Sequence, residues 1–177
     1  MQIKSAETAG FCFGVERAVS LAEQTAKSCA SAVTLGPIIH NRHVVERFEA
    51  MGLREIARAE DAQPGQTVVI RAHGIPVSEQ QTLAARGAKL VDATCPFVKK
   101  IHVIARQAEE AGRHLLIIGT PTHPEVTAIA SYSSDAHVFQ TAEALESWLT
   151  EAPGRRDLPF CMVSQTTGTQ KLWESCR

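Results

Sequence analysis

Short apolar runs alternate with amphipathic stretches along nearly the whole chain, and this alternation limits the fold more than any other feature. Strand-like runs lie at Ile3–Thr8, Ala32–Leu35, Thr67–Ile70, Lys89–Asp92, Leu115–Ile118, Ala136–Phe139 and Phe160–Ser164. Between the first two, Val15–Ala30 carries Ala18, Val19, Ala22 and Ala26 on one helical face. Asn41–Met51, Ser78–Arg86 and Phe97–Ala111 also read as helices. Each is followed by a glycine (Gly52, Gly87 or Gly112) of the kind that closes a helix in the left-handed conformation. Thr141–Leu149 reads as a short acidic helix with Thr141 as its N-cap. Strands alternating with helices of this length predict an α/β fold of right-handed βαβ units around parallel sheets.

A faint repeat overlies this pattern. Cys12 and Cys95 lie 83 residues apart, and so do His40 and His123. Around each cysteine a strand ends, the cysteine follows, and an amphipathic helix begins. The expected organisation is therefore two βα-repeat units. Residues 1–92 hold Cys12, His40 and His73. Residues 93–177 hold Cys95, His123, Glu125 and Thr166. A third such unit would begin just past residue 177.

Composition narrows the function classes. Eighteen Lys and Arg against nineteen Asp and Glu leave a net charge of −1, which argues against a strongly basic nucleic-acid binder. Aromatic residues make up 5%, too few for a base-stacking platform. Apolar runs such as Leu115–Ile118 are far too short to cross a bilayer, and the first ten residues lack the apolar stretch of a signal peptide. The expectation is a soluble cytoplasmic protein that binds neither nucleic acid nor membrane. Five cysteines in such a compartment, an odd number without a CxxC pair, do not suggest a disulfide framework, a zinc ribbon or a thioredoxin-type site.

Ligands of open parallel sheets bind beyond the carboxyl ends of the strands, and the chemistry of this chain gathers there. The strand ends carry Cys12, His40, His73, Cys95, His123 with Glu125, and the pair Thr166-Thr167, most of them flanked by Gly or Pro. Thiolates delivered from separate loops suit an iron–sulfur cluster or a soft metal. The histidines suit metal ligation or an anion site, adjacent helix N-termini favour phosphate, and a Glu beside His123 suits a proton donor. A lone cysteine often serves only as a small core residue, and a lone loop histidine is usually solvated. The matched pair Cys12 and Cys95, and three histidines at strand ends, favour function instead. His43 and His102 within helices, His114 before a strand and His137 in an edge-like strand read as structural or incidental. Cys29 and Cys161 read as packing residues, and Cys176 lies in a polar helix-like stretch.

On Gly10-Phe11-Cys12-Phe13-Gly14-Val15, Ile39-His40-Asn41, Ala72-His73-Gly74, Asp92-Ala93-Thr94-Cys95-Pro96, His123-Pro124-Glu125 and Gln165-Thr166-Thr167, the chain resembles the LytB/IspH family, the 4-hydroxy-3-methylbut-2-enyl diphosphate reductases of the non-mevalonate isoprenoid pathway. The resemblance implies a trefoil-like arrangement of three α/β units around a central [4Fe–4S] cluster, of which this chain carries two. It implies Cys12 and Cys95 as two of three cysteine ligands, the third lying outside this sequence. It implies His40, His73 and His123 at the diphosphate and substrate site, Glu125 as the catalytic proton donor, and Thr166 as its hydrogen-bonding relay. The implied reaction is reductive removal of an allylic hydroxyl from a small diphosphate, with electrons from a ferredoxin or flavodoxin. A chain with two of three thiolates is expected to be inactive alone. The competing expectation is a non-redox metal- or diphosphate-binding module, such as a zinc site built from Cys12, Cys95 and one histidine.

Overall fold

The computed structural model describes residue 4 and residues 9–177. The strand expected at Ile3–Thr8 falls, Lys4 apart, outside the described residues. The other six expected strands are present within two residues of their expected ends, and so are the five expected helices.

The first sheet contains β1 (Val33–Leu35), β2 (Arg54–Ile56), β3 (Thr67–Ile70) and β4 (Lys89–Asp92), all parallel, in the order β2-β1-β3-β4. The second contains β5 (His114–Ile118), β6 (Ala136–Phe139) and β7 (Phe160–Ser164), also parallel, in the order β6-β5-β7. The helices are α1 (Phe13–Ser28), α2 (Arg42–Ala50), α3 (Val77–Ala85), α4 (Pro96–Glu110), α5 (Pro124–Ala130), α6 (Ala142–Thr150) and α7 (Gln170–Cys176). In both sheets the chain leaves a central strand, β1 or β5, adds a strand on one side, then returns to add the next on the other. Each sheet therefore has a point where strand order reverses, between β1 and β3 and between β5 and β7. Loops leaving such a pair diverge and open a crevice.

Both faces of each sheet are covered, as parallel sheets require. In the first, Val69 packs with Ala18, Val19, Ala22, Val44 and Phe48 of α1 and α2. Its neighbours Val68 and Ile70 point the other way, with Val33 and Leu35, onto Leu83 of α3. In the second, Leu115, Ile117 and Val163 face α4 and α5, while Leu116, Ile118 and Phe139 face Leu145, Leu172 and Trp173 of α6 and α7. Leu115 and Ile117 have no exposed surface, and truncating such a side chain to alanine costs about 2–5 kcal/mol.

Helix ends follow their sequence signals. Asn41, Thr141 and Thr169 cap α2, α6 and α7 by accepting the amides of Val44, Ala144 and Leu172 at 3.1–3.2 Å. Pro96 and Pro124 occupy first helical positions, where the missing N–H costs nothing. Gly52, Gly87 and Gly112 all have positive φ.

Candidate functional site

The two crevices hold the expected residues. From the first, the loop after β1 delivers His40 and the loop after β3 delivers His73. From the second, the loop after β5 delivers His123 and leads into Glu125, and the loop after β7 delivers Thr166. His40 lies outside every strand and helix, His73 likewise, and His123 is the N-cap of α5. Imidazoles from the two sheets meet. Ring centroids lie 4.7 Å apart for His40 and His73, 5.3 Å for His73 and His123, and 6.0 Å for His40 and His123. One ring nitrogen from each falls within 4.8 Å of the other two.

These rings differ in environment. Burial, reinforced by the charges of its neighbours, pulls His73 down to a pKa of about 4, so it is neutral at physiological pH. Its Nδ1 is buried without a hydrogen-bond partner among the described residues. Burial lowers His123 as well. His123 Nδ1 accepts the Glu125 amide at 3.2 Å, so in the neutral ring the proton sits on Nε2. An imidazole held in its neutral form can donate a hydrogen bond to an anion or ligate a borderline metal.

Glu125 is 1% exposed, yet both of its carboxyl oxygens are engaged. The Thr166 amide donates to Oε1 at 2.6 Å and the Thr166 hydroxyl pairs with Oε2 at 2.8 Å. Thr166 itself is exposed, so its hydroxyl connects the buried carboxyl group to the open crevice. Gln165 fixes this loop. Its amide donates to the Ile118 carbonyl at 2.9 Å, and its side-chain oxygen accepts the Thr120 amide at 3.1 Å.

Cys12 and Cys95 are equivalent in the fold. Each is the N-cap of the long helix that precedes a central strand, α1 and α4, and neither side chain caps its helix. The two helix starts touch. A Cβ placed on Gly14, in the first turn of α1, would lie 2.3 Å from the Cys95 sulfur. Arg17 of α1 donates to the Thr94 carbonyl at 3.2 Å and holds the contact together. All five cysteines are free. Two free thiols without capping bonds, standing at helix starts that meet, are of the residue type that ligates an iron–sulfur cluster. By contrast the Cys29 thiol donates to the Thr67 hydroxyl and pairs with that of Ser31, and Cys161 sits within β7 against the core of the second sheet.

Sequence reasoning overlooked Arg71, the residue after β3. Its Nε donates to the Gly74 carbonyl at 3.2 Å, and its Nη1 lies 2.5 Å from where a Cβ on Gly36 would stand. It thereby bridges the loops that carry His73 and His40. The available signal was an arginine at a strand end two residues before a histidine. His114 and His137, expected to be incidental, share the carboxylate of Asp135, far along the sheet at the amino ends of β5 and β6. His114 opens β5 rather than preceding it.

A doubly crevassed parallel α/β protein gathers imidazoles and a buried carboxyl group at its strand ends, and two thiols at helix starts, in the place where open parallel sheets bind small molecules. The chain belongs to the LytB family: the family model described as LytB protein matches residues 3–177. A 4-hydroxy-3-methylbut-2-enyl diphosphate reductase of Oleidesulfovibrio alaskensis is 45% identical over 178 residues, covering 99% of this chain and 62% of that protein. The protein of the same name from Clostridioides difficile is 35% identical, again over 99% of this chain and 62% of its own length. A solved structure of (E)-4-hydroxy-3-methyl-but-2-enyl diphosphate reductase superposes with a TM-score of 0.80 at 37% identity, covering 97% of this chain and 60% of that one. The Plasmodium falciparum reductase superposes with a TM-score of 0.86 at 25% identity, covering 96% and 53%. The chain thus spans about three fifths of the length of these relatives. Among the described residues no helix is long and apolar enough to cross a membrane.

Proposed function

We propose that this chain provides two of the units of a reductase that converts 4-hydroxy-3-methylbut-2-enyl diphosphate to isopentenyl and dimethylallyl diphosphates. Residues 1–92 form one unit and residues 93–177 the other, arranged as in a trefoil. The observation that carries the reading is the meeting of the two crevices, which sets three imidazoles beside a buried carboxyl group wired to the surface through Thr166.

Cys12 and Cys95 would hold a [4Fe–4S] cluster, with a third cysteine from outside this sequence. When bound, the cluster supplies electrons and a Lewis-acidic iron toward the allylic hydroxyl. The rest is done by this chain's own side chains. His40, His73 and His123 donate hydrogen bonds to the diphosphate and orient it. Glu125 supplies the proton taken up as the hydroxyl leaves, and the Thr166 hydroxyl passes it from the buried carboxyl to the crevice. Reducing equivalents come from a ferredoxin or flavodoxin in the cytoplasm.

The test is made in the polypeptide that contains these residues together with the remainder of the reductase. Glu125→Gln is expected to keep iron, sulfide and substrate binding and to lose turnover. Full turnover by that variant overturns the role of Glu125. A colourless protein without acid-labile sulfide overturns the reductase reading. The three imidazole nitrogens within 4.8 Å favour a second reading, a non-redox metal-binding module, which stoichiometric zinc in that colourless protein would support.

A further inference from the structure

A charged side chain withdrawn from water without an opposite charge is unfavourable, so half-buried guanidinium groups are normally found beside a carboxylate. Arg71 is half-buried, and no described carboxylate lies within ion-pair reach of it, whereas five other arginines each pair with one. Glu55 and Glu79 act on it only at longer range. Its position is nonetheless firmly set. One edge of the fork bonds the Gly74 carbonyl, and the other fills the space beside Gly36 that any larger residue there would take. Gly36 has φ +70°, a conformation that favours glycine independently. The loops so bridged are those of His73 and His40.

We propose that Arg71 is the fixed positive charge of the anion site, a positioning and charge-supplying residue that bridges the His40 and His73 loops and pairs with the bound diphosphate. This rests on the reading that places a diphosphate at the three histidines. With burial holding His73 and His123 toward their neutral forms, these two imidazoles contribute hydrogen bonds but little charge. Arg71 contributes charge that does not titrate in any physiological range. It also disfavours protonation of His73 and His123, on which its charge acts directly, so the rings keep a tautomer with one donor each. His40 and Glu125 complete the titratable groups facing these rings.

Two variants separate charge from shape. Arg71→Met removes the charge and keeps most of the length, and Arg71→Lys restores the charge without the fork. The polypeptide that contains these residues together with the remainder of the reductase is titrated calorimetrically with inorganic pyrophosphate, and the histidine ring protons are followed by NMR against pH. Arg71→Met is expected to weaken pyrophosphate binding about tenfold, equivalent to about 1.4 kcal/mol, and to raise the pKa of His73 and His123. Arg71→Lys is expected to restore most of the affinity and return both histidines toward their original pKa. Unchanged affinity and unchanged histidine titration in a folded Arg71→Met protein overturn the proposal and leave the diphosphate reading standing. Equal losses in the Met and Lys variants overturn it too, since shape alone would then account for both. Failure of the unmodified complete polypeptide to bind pyrophosphate overturns the reading itself.

Discussion

The buried carboxyl group of Glu125 and the exposed hydroxyl of Thr166 lie 2.8 Å apart, and the Thr166 amide reaches the other carboxyl oxygen at 2.6 Å. Thr166→Val deletes only the hydroxyl. It leaves one oxygen of a 1% exposed side chain without its partner, which costs about 1–3 kcal/mol. A lower urea midpoint with an unchanged slope is expected, together with slower turnover in the cluster-loaded reductase. Glu125→Gln, which preserves shape and still accepts the amide, is expected to stay within about 1 kcal/mol of the parent while losing turnover. Turnover lost in proportion to stability in both variants would make the pair purely structural.

Gly14 marks where α1 and α4 touch. An alanine there should favour the helix by about 0.5–1 kcal/mol, but its methyl would stand 2.3 Å from the Cys95 sulfur and 3.2 Å from the Cys95 Cβ. The sulfur has to move. Gly14→Ala is therefore expected to fold with near-parental stability and to take up less iron and sulfide on reconstitution, measured per folded chain. Parental iron content would show that the contact has no bearing on cluster assembly.

The elements that sequence pattern located are those whose cores alternate or repeat cleanly. Val68, Val69 and Ile70 are buried on both faces, and α1 and α4 carry long apolar stripes. The elements it missed are the ones without such a signal. β2 is three residues at a sheet edge, two of them exposed Arg54 and Glu55, so no apolar run announces it. α5 is seven residues starting at Pro124, directly after the Gly-Thr-Pro-Thr loop, and reads as its continuation. α7 showed only a polar helix-like trace. In the site, residue types and strand-end positions suggested His40, His73, His123, Glu125 and Thr166. That loops of two different sheets would converge was legible only through the family resemblance and not from the residues themselves, because the reversal of strand order depends on pairings distant in sequence. Arg71 escaped notice because its significance lies in how it bridges the loops of His40 and His73, a contact between residues distant in sequence.

The cysteines divide by what their thiols touch. Cys12 and Cys95 head helices and have no capping bond. Cys29 is tied to Thr67 and Ser31, whose hydrogen bonds hold its thiol below the usual range. Burial pushes the Cys161 thiol up. In the complete reductase Cys12→Ser and Cys95→Ser are each expected to abolish the cluster's visible absorbance. Cys29→Ser and Cys161→Ser are expected to retain it, the latter with a stability loss on the order of 1 kcal/mol from its packed strand. Bleaching by Cys29→Ser equal to that by Cys12→Ser would refute the ligand assignment.

His102 gives the fold a pH dependence of definite sign. It is 8% exposed, stacks on Tyr132 with centroids 4.7 Å apart, crowds Gly74, and has an Nε2 without a partner among the described residues. Burial pulls it down to a pKa of about 4, against an ordinary value of 6.5. Between those values the unfolded chain binds a proton that the native ring refuses, so stability rises with pH across the window and is lost as pH falls through it. A fully buried group shifted this far contributes at most about 3 kcal/mol. His73, also near 4, adds to the same trend but is more open to solvent. His102→Phe removes the titration and the unpartnered nitrogen, and keeps the stack on Tyr132. The adjoining cavity, about 200 Å³ and bordered by Ile70, Ile75 and Val103, leaves room for the larger ring. The variant is expected to match or exceed the parent in urea at pH 7, and to lose markedly less stability between pH 6.5 and 4. A parental slope over that range would place the acid sensitivity in other groups, with His73 the next to replace.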